Sequence, residues 1–122
     1  MHTRSLCPER GELTPGWRIV TTKPSEGGFR LKVFISCDIE GISGVVASRE
    51  QTSDQGKDYS RARELMTEEL NAVIEGAVQS GANDILVNDS HGSMRNILIE
   101  KIHPAATLLT GSPKRLSMMQ GI

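Results

Sequence analysis

Aromatic residues are scarce in this sequence. Only 3% of the 122 residues are Phe, Trp or Tyr, and the hydrophobic fraction is 37%. A core must therefore be built from aliphatic side chains, and a chain of this length has room for one domain. This composition suits a small parallel sheet covered by helices.

The chain also lacks an excess of charge of either sign. Lys and Arg total 14 and Asp and Glu total 15, which gives a formal net charge of -1. No basic field exists to attract a phosphate backbone or an anionic lipid surface. We therefore expect no nucleic-acid partner.

Long apolar runs and clustered cysteines are missing as well. No run approaches the roughly 18 apolar residues that span a bilayer, and the N-terminus has no apolar segment typical of a secretory signal. These absences predict a cytoplasmic protein without a membrane partner. Cys7 and Cys37 are too few for a disulfide framework and lack the spacing of a thiolate zinc site, so both are expected to be reduced thiols.

Residues 1–29 combine prolines and glycines with mixed charge and show no apolar periodicity. This pattern predicts a poorly ordered N-terminal extension. A transit peptide avoids acidic residues, whereas Glu9, Glu12 and Glu26 are present here. An over-extended start of translation would produce the same pattern.

From residue 30 onward, short apolar runs alternate with an amphipathic segment. Residues 31–37 and 84–87 have the composition of buried strands, and each run ends in a polar loop. Between them, apolar positions recur every three or four residues over 58–80, which predicts a helix that ends at Gly81. A short helix over 94–102 and a third strand near 107–109 are expected to follow.

This order of elements predicts an α/β fold with an open parallel sheet of βαβ units. Residues 30–122 would form a truncated three-layer domain. Because βαβ crossovers are right-handed, both polar loops should lie at the same edge of the sheet, where ligands of open α/β sheets bind. The loops carry Asp38, Glu40, Asp89 and His91.

Asp38 and Glu40 are two positions apart, so in an extended chain their carboxylates project to the same side. Two carboxylates repel unless a cation joins them. With one nitrogen from His91, they form the mixed oxygen and nitrogen set that zinc accepts in catalytic sites. A solvated turn at Asp38 and Glu40, and a turn or helix cap at His91, are the alternative interpretations. His103 is followed by Pro104 and is interpreted as structural.

The polar loops also carry motifs of a known family. The sequence resembles the zinc-dependent D-aminopeptidase family from about residue 31 to residue 122. The motifs that carry the resemblance are Ser36-Cys37-Asp38-Ile39-Glu40-Gly41-Ile42-Ser43-Gly44, Val87-Asn88-Asp89-Ser90-His91, Tyr59-Ser60-Arg61-Ala62-Arg63, Met66-Thr67-Glu68-Glu69 and Lys101-Ile102-His103-Pro104.

The resemblance implies a di-zinc hydrolase that removes N-terminal D-amino acids from short peptides and assembles as a ring-shaped homo-oligomer. It implies that Asp38 bridges two zinc ions and that Glu40 and His91 complete the ligands of the first. The second ion takes a His and a Glu from later in the family sequence, and no residue here matches either. We therefore expect at most one well-formed zinc site, and a weakly active or inactive fragment. No catalytic residue is assigned.

Two other interpretations remain open. A magnesium-dependent phosphohydrolase of the haloacid-dehalogenase type also places paired acids after an apolar strand, although Glu40 stands where that family has Asp. Ser90 could serve as its second-strand hydroxyl. The other alternative is a non-catalytic fragment that binds metal and acts by associating with a full-length homologue.

Overall fold

The computed structural model describes residues 18–20 and 30–122. Strands and helices alternate along this part of the chain. In order, the elements are strand β1 (Arg18–Val20), strand β2 (Lys32–Cys37), helix α1 (Ser48–Thr52), helix α2 (Tyr59–Gln79), strand β3 (Asp84–Asp89) and strand β4 (Ala106–Thr110), followed by a 3-10 turn at Ser117–Met119.

The strands form one sheet in the order β1-β4-β3-β2. Strand β3 runs parallel to both β2 and β4, which confirms the predicted parallel sheet of βαβ units. Cys37 pairs with Asp89 at the end of the β2–β3 ladder. The loops that follow these two strands therefore begin side by side.

Helix α2 covers one face of this sheet, as its apolar spacing predicts. Four buried side chains, spaced four residues apart along one stripe of the helix, enter the core: Ala62, Met66, Leu70 and Ile74. They join a cluster with Ile85 and Val87, which point to the same side of β3. At the end of the helix Gly81 has φ +93°, a left-handed conformation that favours glycine.

The opposite face of the sheet carries Phe34, Leu86 and Leu109, and the end of the chain lies against it. Gly121 has φ +114°, and a Cβ at this position would come within 2.5 Å of the Leu86 side chain. A residue without a side chain is therefore needed where the chain crosses the sheet.

Two local features differ from the sequence-based expectation. Residues 94–102 contain turns and bends instead of the predicted short helix. In that helix the Leu98 N–H would bond to the Met94 carbonyl oxygen, but it donates to the Thr67 hydroxyl, and the Met94 carbonyl oxygen accepts from Gly111. Helix α1 was not predicted. Strand β1, which lies within residues 1–29, pairs antiparallel with β4. Residues 1–17 and 21–29 lie outside the described residues, so the expectation for them stays a prediction.

Among the helices that the structure describes, none is both long and apolar enough to cross a membrane.

The packing of α2 predicts a sharp contrast between two neighbouring residues. Ile74 is fully buried, whereas Val73 is 51% exposed. Ile74→Ala should lower the free energy of unfolding by about 2–5 kcal/mol because it leaves a cavity against the sheet. Val73→Ala should change it by less than about 0.5 kcal/mol. Urea unfolding of both variants measures the contrast, and equal losses would show that α2 does not pack as described.

Candidate metal centre

The first half of the site is the turn that follows β2. Ile39 is fully buried and anchors this turn in the core. Its backbone N–H donates a hydrogen bond to Asp38 Oδ1 at 2.8 Å. Gly41 has φ +103°, so the chain reverses here in a conformation that few other residues adopt. The buried residue between the two acids thus leaves Asp38 and Glu40 at the solvent side of the turn.

The second half is His91, two residues beyond β3. Its Nδ1 lies 2.9 Å from Asp38 Oδ1 and 2.8 Å from Glu40 Oε2. On the other side of the ring, Nε2 donates a hydrogen bond to the Thr52 carbonyl oxygen at 2.6 Å. The imidazole is only 16% exposed, whereas the two carboxylates are 45% and 55% exposed. The ring is therefore held from both sides.

The three sequence-predicted ligands thus come together. Asp38, Glu40 and His91 each offer one donor atom, and these atoms lie within 4.8 Å of one another. Within residues 18–20 and 30–122 they are the one group of three or more such side chains with this geometry. Zinc bonds to nitrogen and oxygen are about 2.0–2.2 Å long, so one ion could contact all three after small side-chain movements. Two carboxylates and one imidazole also match zinc in chemistry.

The charges around His91 favour its protonated form. Burial of the ring lowers its pKa, but the hydrogen bonds to Thr52 and Asp38 and the charges of Glu40 and Asp38 act in the opposite direction. The net effect is a raised pKa. A proton on Nδ1, between the two carboxylates, neutralises part of their repulsion. A divalent cation at the same place would neutralise more.

Asp89 does not join this group, although the sequence placed it in the same neighbourhood. It is fully buried, and its carboxylate accepts hydrogen bonds from the backbone N–H groups of Asn96 and Ile97 and from the Asn96 side chain. Both carboxylate oxygens of Asp89 are therefore hydrogen-bonded to the loop after His91. The same Asn96 amide donates to the His91 carbonyl oxygen at 2.6 Å, so Asp89 supports the backbone of His91.

Asn88 and Lys114 form a second support that sequence reasoning missed. The Lys114 ammonium group donates to Asn88 Oδ1 and to the carbonyl oxygens of Asp89 and Leu109. Asn88 in turn donates to the Ser117 carbonyl oxygen at 2.9 Å. Burial lowers the pKa of Lys114, and the charge of Asp89 acts against that effect. The pair ties the chain after β4 to the ends of β3 and β4.

A cavity of about 230 Å³ lies beside His91. Its polar lining offers hydroxyl, amide and carboxylate groups to a ligand. The lining residues are Thr52, Ser53, Asp54, Tyr59, His91, Gly92, Ser93 and Asn96. His103 lies elsewhere, where its Nε2 is 3.0 Å from Glu75 Oε2 on α2.

A sequence profile of the D-aminopeptidase family matches residues 31–122, most of the chain. This chain belongs to the D-aminopeptidase family. The D-aminopeptidase of Bacillus subtilis (strain 168) is 45% identical over 93 residues, which cover 75% of this chain and 33% of that protein.

A solved structure of the family shares the fold. The Zn-dependent D-aminopeptidase DppA from Bacillus subtilis, described as a self-compartmentalizing protease, superposes with a TM-score of 0.73 at 42% identity. The match covers 75% of this chain and 33% of that chain. The chain therefore spans about a third of the length of these relatives of the family.

The charge balance at His91 predicts how stability depends on pH without metal. The pKa of His91 is raised in the folded chain above its ordinary value of 6.5. Its contribution to stability is therefore fully present below that value and is lost as the pH rises through the folded pKa. In excess chelator, the free energy of unfolding should therefore fall as the pH rises above about 6.5. His91→Gln should flatten this dependence, and an equally steep profile in the variant would contradict the assignment.

Proposed function

We propose that this chain contributes the first zinc site of a D-aminopeptidase, a hydrolase that removes N-terminal D-amino acids from short peptides. One observation carries the proposal. In a chain of the D-aminopeptidase family, Asp38, Glu40 and His91 bring their donor atoms within 4.8 Å of one another at the carboxyl ends of two parallel strands. The relative of known structure is Zn-dependent, which supports zinc as the ion.

A zinc ion held by these side chains would acidify water and polarise a peptide carbonyl group. The chain's own residues prepare the site for this ion. The Thr52 carbonyl oxygen accepts the Nε2 proton of His91, so the imidazole presents Nδ1 to the two carboxylates. The polar cavity beside His91 provides room for part of a short peptide.

The proposed chemistry needs more than these three residues. The family resemblance implies a second zinc ion that Asp38 shares, with further ligands from later in the family sequence. That ion would hold the free amino group of the peptide and stabilise charge at the reacting carbonyl group, and contributions of this kind are worth about a hundredfold or more in rate. Among the residues that the structure describes, one group of side chains has the geometry to hold one ion.

Assembly and location belong to the same proposal. The relative of known structure is described as self-compartmentalizing, which supports association of several copies into a closed particle. We propose that the complete enzyme forms a homo-oligomer in the cytoplasm.

The family membership does not favour the phosphohydrolase alternative. That mechanism needs a free hydroxyl at Ser90, whereas the Ser90 hydroxyl is hydrogen-bonded to Ser36 Oγ and to the Asn88 carbonyl oxygen.

Zinc titration of the metal-free chain tests the proposed site. We expect binding of one equivalent, and His91→Gln should lower the affinity by more than about tenfold because a direct ligand is lost. His103→Gln is the matched control, since His103 also faces a carboxylate, that of Glu75. It should bind zinc as the wild type does. Equal affinities of all three proteins would exclude zinc binding at Asp38, Glu40 and His91.

Turnover of a D-alanyl peptide tests the activity. With zinc, the 122-residue chain should stay far below the roughly 1 s⁻¹ of an ordinary enzyme, because only one cation is held. A chimera in which residues 31–122 replace the matching third of the Bacillus subtilis enzyme should cleave the peptide and lose activity on Asp38→Ala.

The isolated chain and the chimera together distinguish the possible interpretations. A folded, zinc-loaded chimera without activity would contradict the proposed hydrolase and favour a non-catalytic fragment. Turnover by the isolated chain at about 1 s⁻¹, abolished by Asp38→Ala, would show that one zinc site is sufficient.

A further inference from the structure

Helix α1 contains a buried amide that the proposed chemistry leaves unused. Gln51 is only 9% exposed, and it is the buried residue of this five-residue helix. An amide carries two donors and an acceptor with two lone pairs, so its burial is unfavourable unless these groups are bonded. The hydrogen-bond partners of the Gln51 side chain therefore indicate its role.

The Gln51 side chain binds the loop that leads from the Asp38 and Glu40 turn into α1. Its Oε1 accepts hydrogen bonds from the backbone N–H groups of Val46 and Ala47, both at 2.7 Å. Its Nε2 donates to the Gly44 carbonyl oxygen at 3.0 Å. Ala47 is the N-cap of α1 and has no side-chain cap of its own. A side chain within α1 therefore binds the backbone N–H groups of the two residues that precede the helix.

A helix of five residues is not stable alone, because nucleation fixes several residues for few hydrogen bonds. The position of α1 therefore depends on such contacts. The far end of the helix is held in part by the Asp58 N–H, which donates to the Glu50 carbonyl oxygen at 3.0 Å. A Cβ at Gly56 would overlap the same carbonyl group. Gln51 holds the near end.

The last carbonyl groups of a helix have no partner within it. At Thr52 this free carbonyl oxygen lies 2.6 Å from Nε2 of His91 and accepts its proton. A partner of this kind fixes the tautomer and orientation of a metal-binding imidazole, and its loss typically lowers metal affinity by about 10- to 100-fold. The geometry of the proposed site therefore depends on where α1 places one backbone oxygen.

We propose that Gln51 is a positioning residue of the zinc site, which holds α1 so that the Thr52 carbonyl group orients His91 toward Asp38 and Glu40. The inference rests on the proposed zinc site. The three hydrogen bonds of the Gln51 amide go to main-chain atoms of residues 44–47, so the residue acts through the helix and not on the ion.

The test uses variants of the full chain that differ in what residue 51 can bond. Gln51→Met keeps the length and apolar volume of the side chain but removes all three hydrogen bonds. Gln51→Glu keeps the acceptor for Val46 and Ala47 and is the conservative variant. Gln79→Met is the matched control, because Gln79 is an exposed glutamine whose side chain donates to Glu75.

Zinc affinity and the visible spectrum of the cobalt(II)-loaded chain are measured for each protein, with circular dichroism as the check of folding. Gln51→Met should stay folded, bind zinc about 10- to 100-fold more weakly and change the shape of the cobalt spectrum, because the imidazole is no longer fixed. Gln51→Glu should recover most of the affinity and the wild-type spectrum. Gln79→Met should match the wild type in both measurements.

The outcomes separate this inference from the proposed function. If the wild type binds no zinc, both are overturned. If the wild type binds zinc and Gln51→Met keeps its affinity and its cobalt spectrum, the positioning role alone is overturned. Should Gln51→Met fail to fold, Gln51→Asn decides in its place, because its amide is one methylene too short to reach residues 44–47. Unchanged affinity and spectrum in that variant would equally overturn the inference.

Discussion

The site depends on the parallel pairing of β2 with β3. Cys37 and Asp89 are partners at the end of the ladder, and the next backbone hydrogen bond runs from the Ser90 N–H to the Cys37 carbonyl oxygen at 2.8 Å. This register places the turn with two carboxylates beside the loop with the imidazole. A shift of one residue would turn the side chains of β3 to the other face of the sheet and separate the two groups. The apolar stripe of α2, packed against Ile85 and Val87, is what prevents such a shift.

The last residues of β3 and the loop after it each support a different part of the site. Asn88 binds the chain beyond β4 through Lys114, Asp89 binds the loop at Asn96, and His91 faces the acids. Buried polar groups are unfavourable unless bonded, and every buried side-chain nitrogen and oxygen atom among the described residues has a hydrogen-bond partner. A short polar segment thus fixes three separate stretches of backbone around a partly exposed pair of carboxylates. That arrangement keeps the acids close together although their charges repel.

The sequence predicted the elements whose signal is local. The two core strands, helix α2 and the third strand follow from apolar spacing, and the handedness of βαβ units then brings Asp38, Glu40 and His91 to one edge. The supporting contacts could not be predicted in this way, because they join distant positions. Lys114 is hydrogen-bonded to Asn88, 26 positions away in the sequence, and the Thr52 carbonyl oxygen is hydrogen-bonded to His91, 39 positions away. The expected helix over 94–102 was wrong for the same reason, since the Leu98 N–H donates to the Thr67 hydroxyl, 31 positions away, and not to the Met94 carbonyl oxygen.

Strand β1 has a consequence for how copies of the chain meet. Three residues without a clear sequence pattern lie antiparallel along the outer side of β4. A strand at the border of a sheet presents unpaired N–H and C=O groups that can recruit a strand from another molecule. By occupying that border, β1 pairs with residues 108–110 of β4 and becomes the border strand of the described sheet on this side. A strand from another molecule would therefore meet β1 or β2 instead of this part of β4, and a border strand of only three residues offers few groups for it to bind.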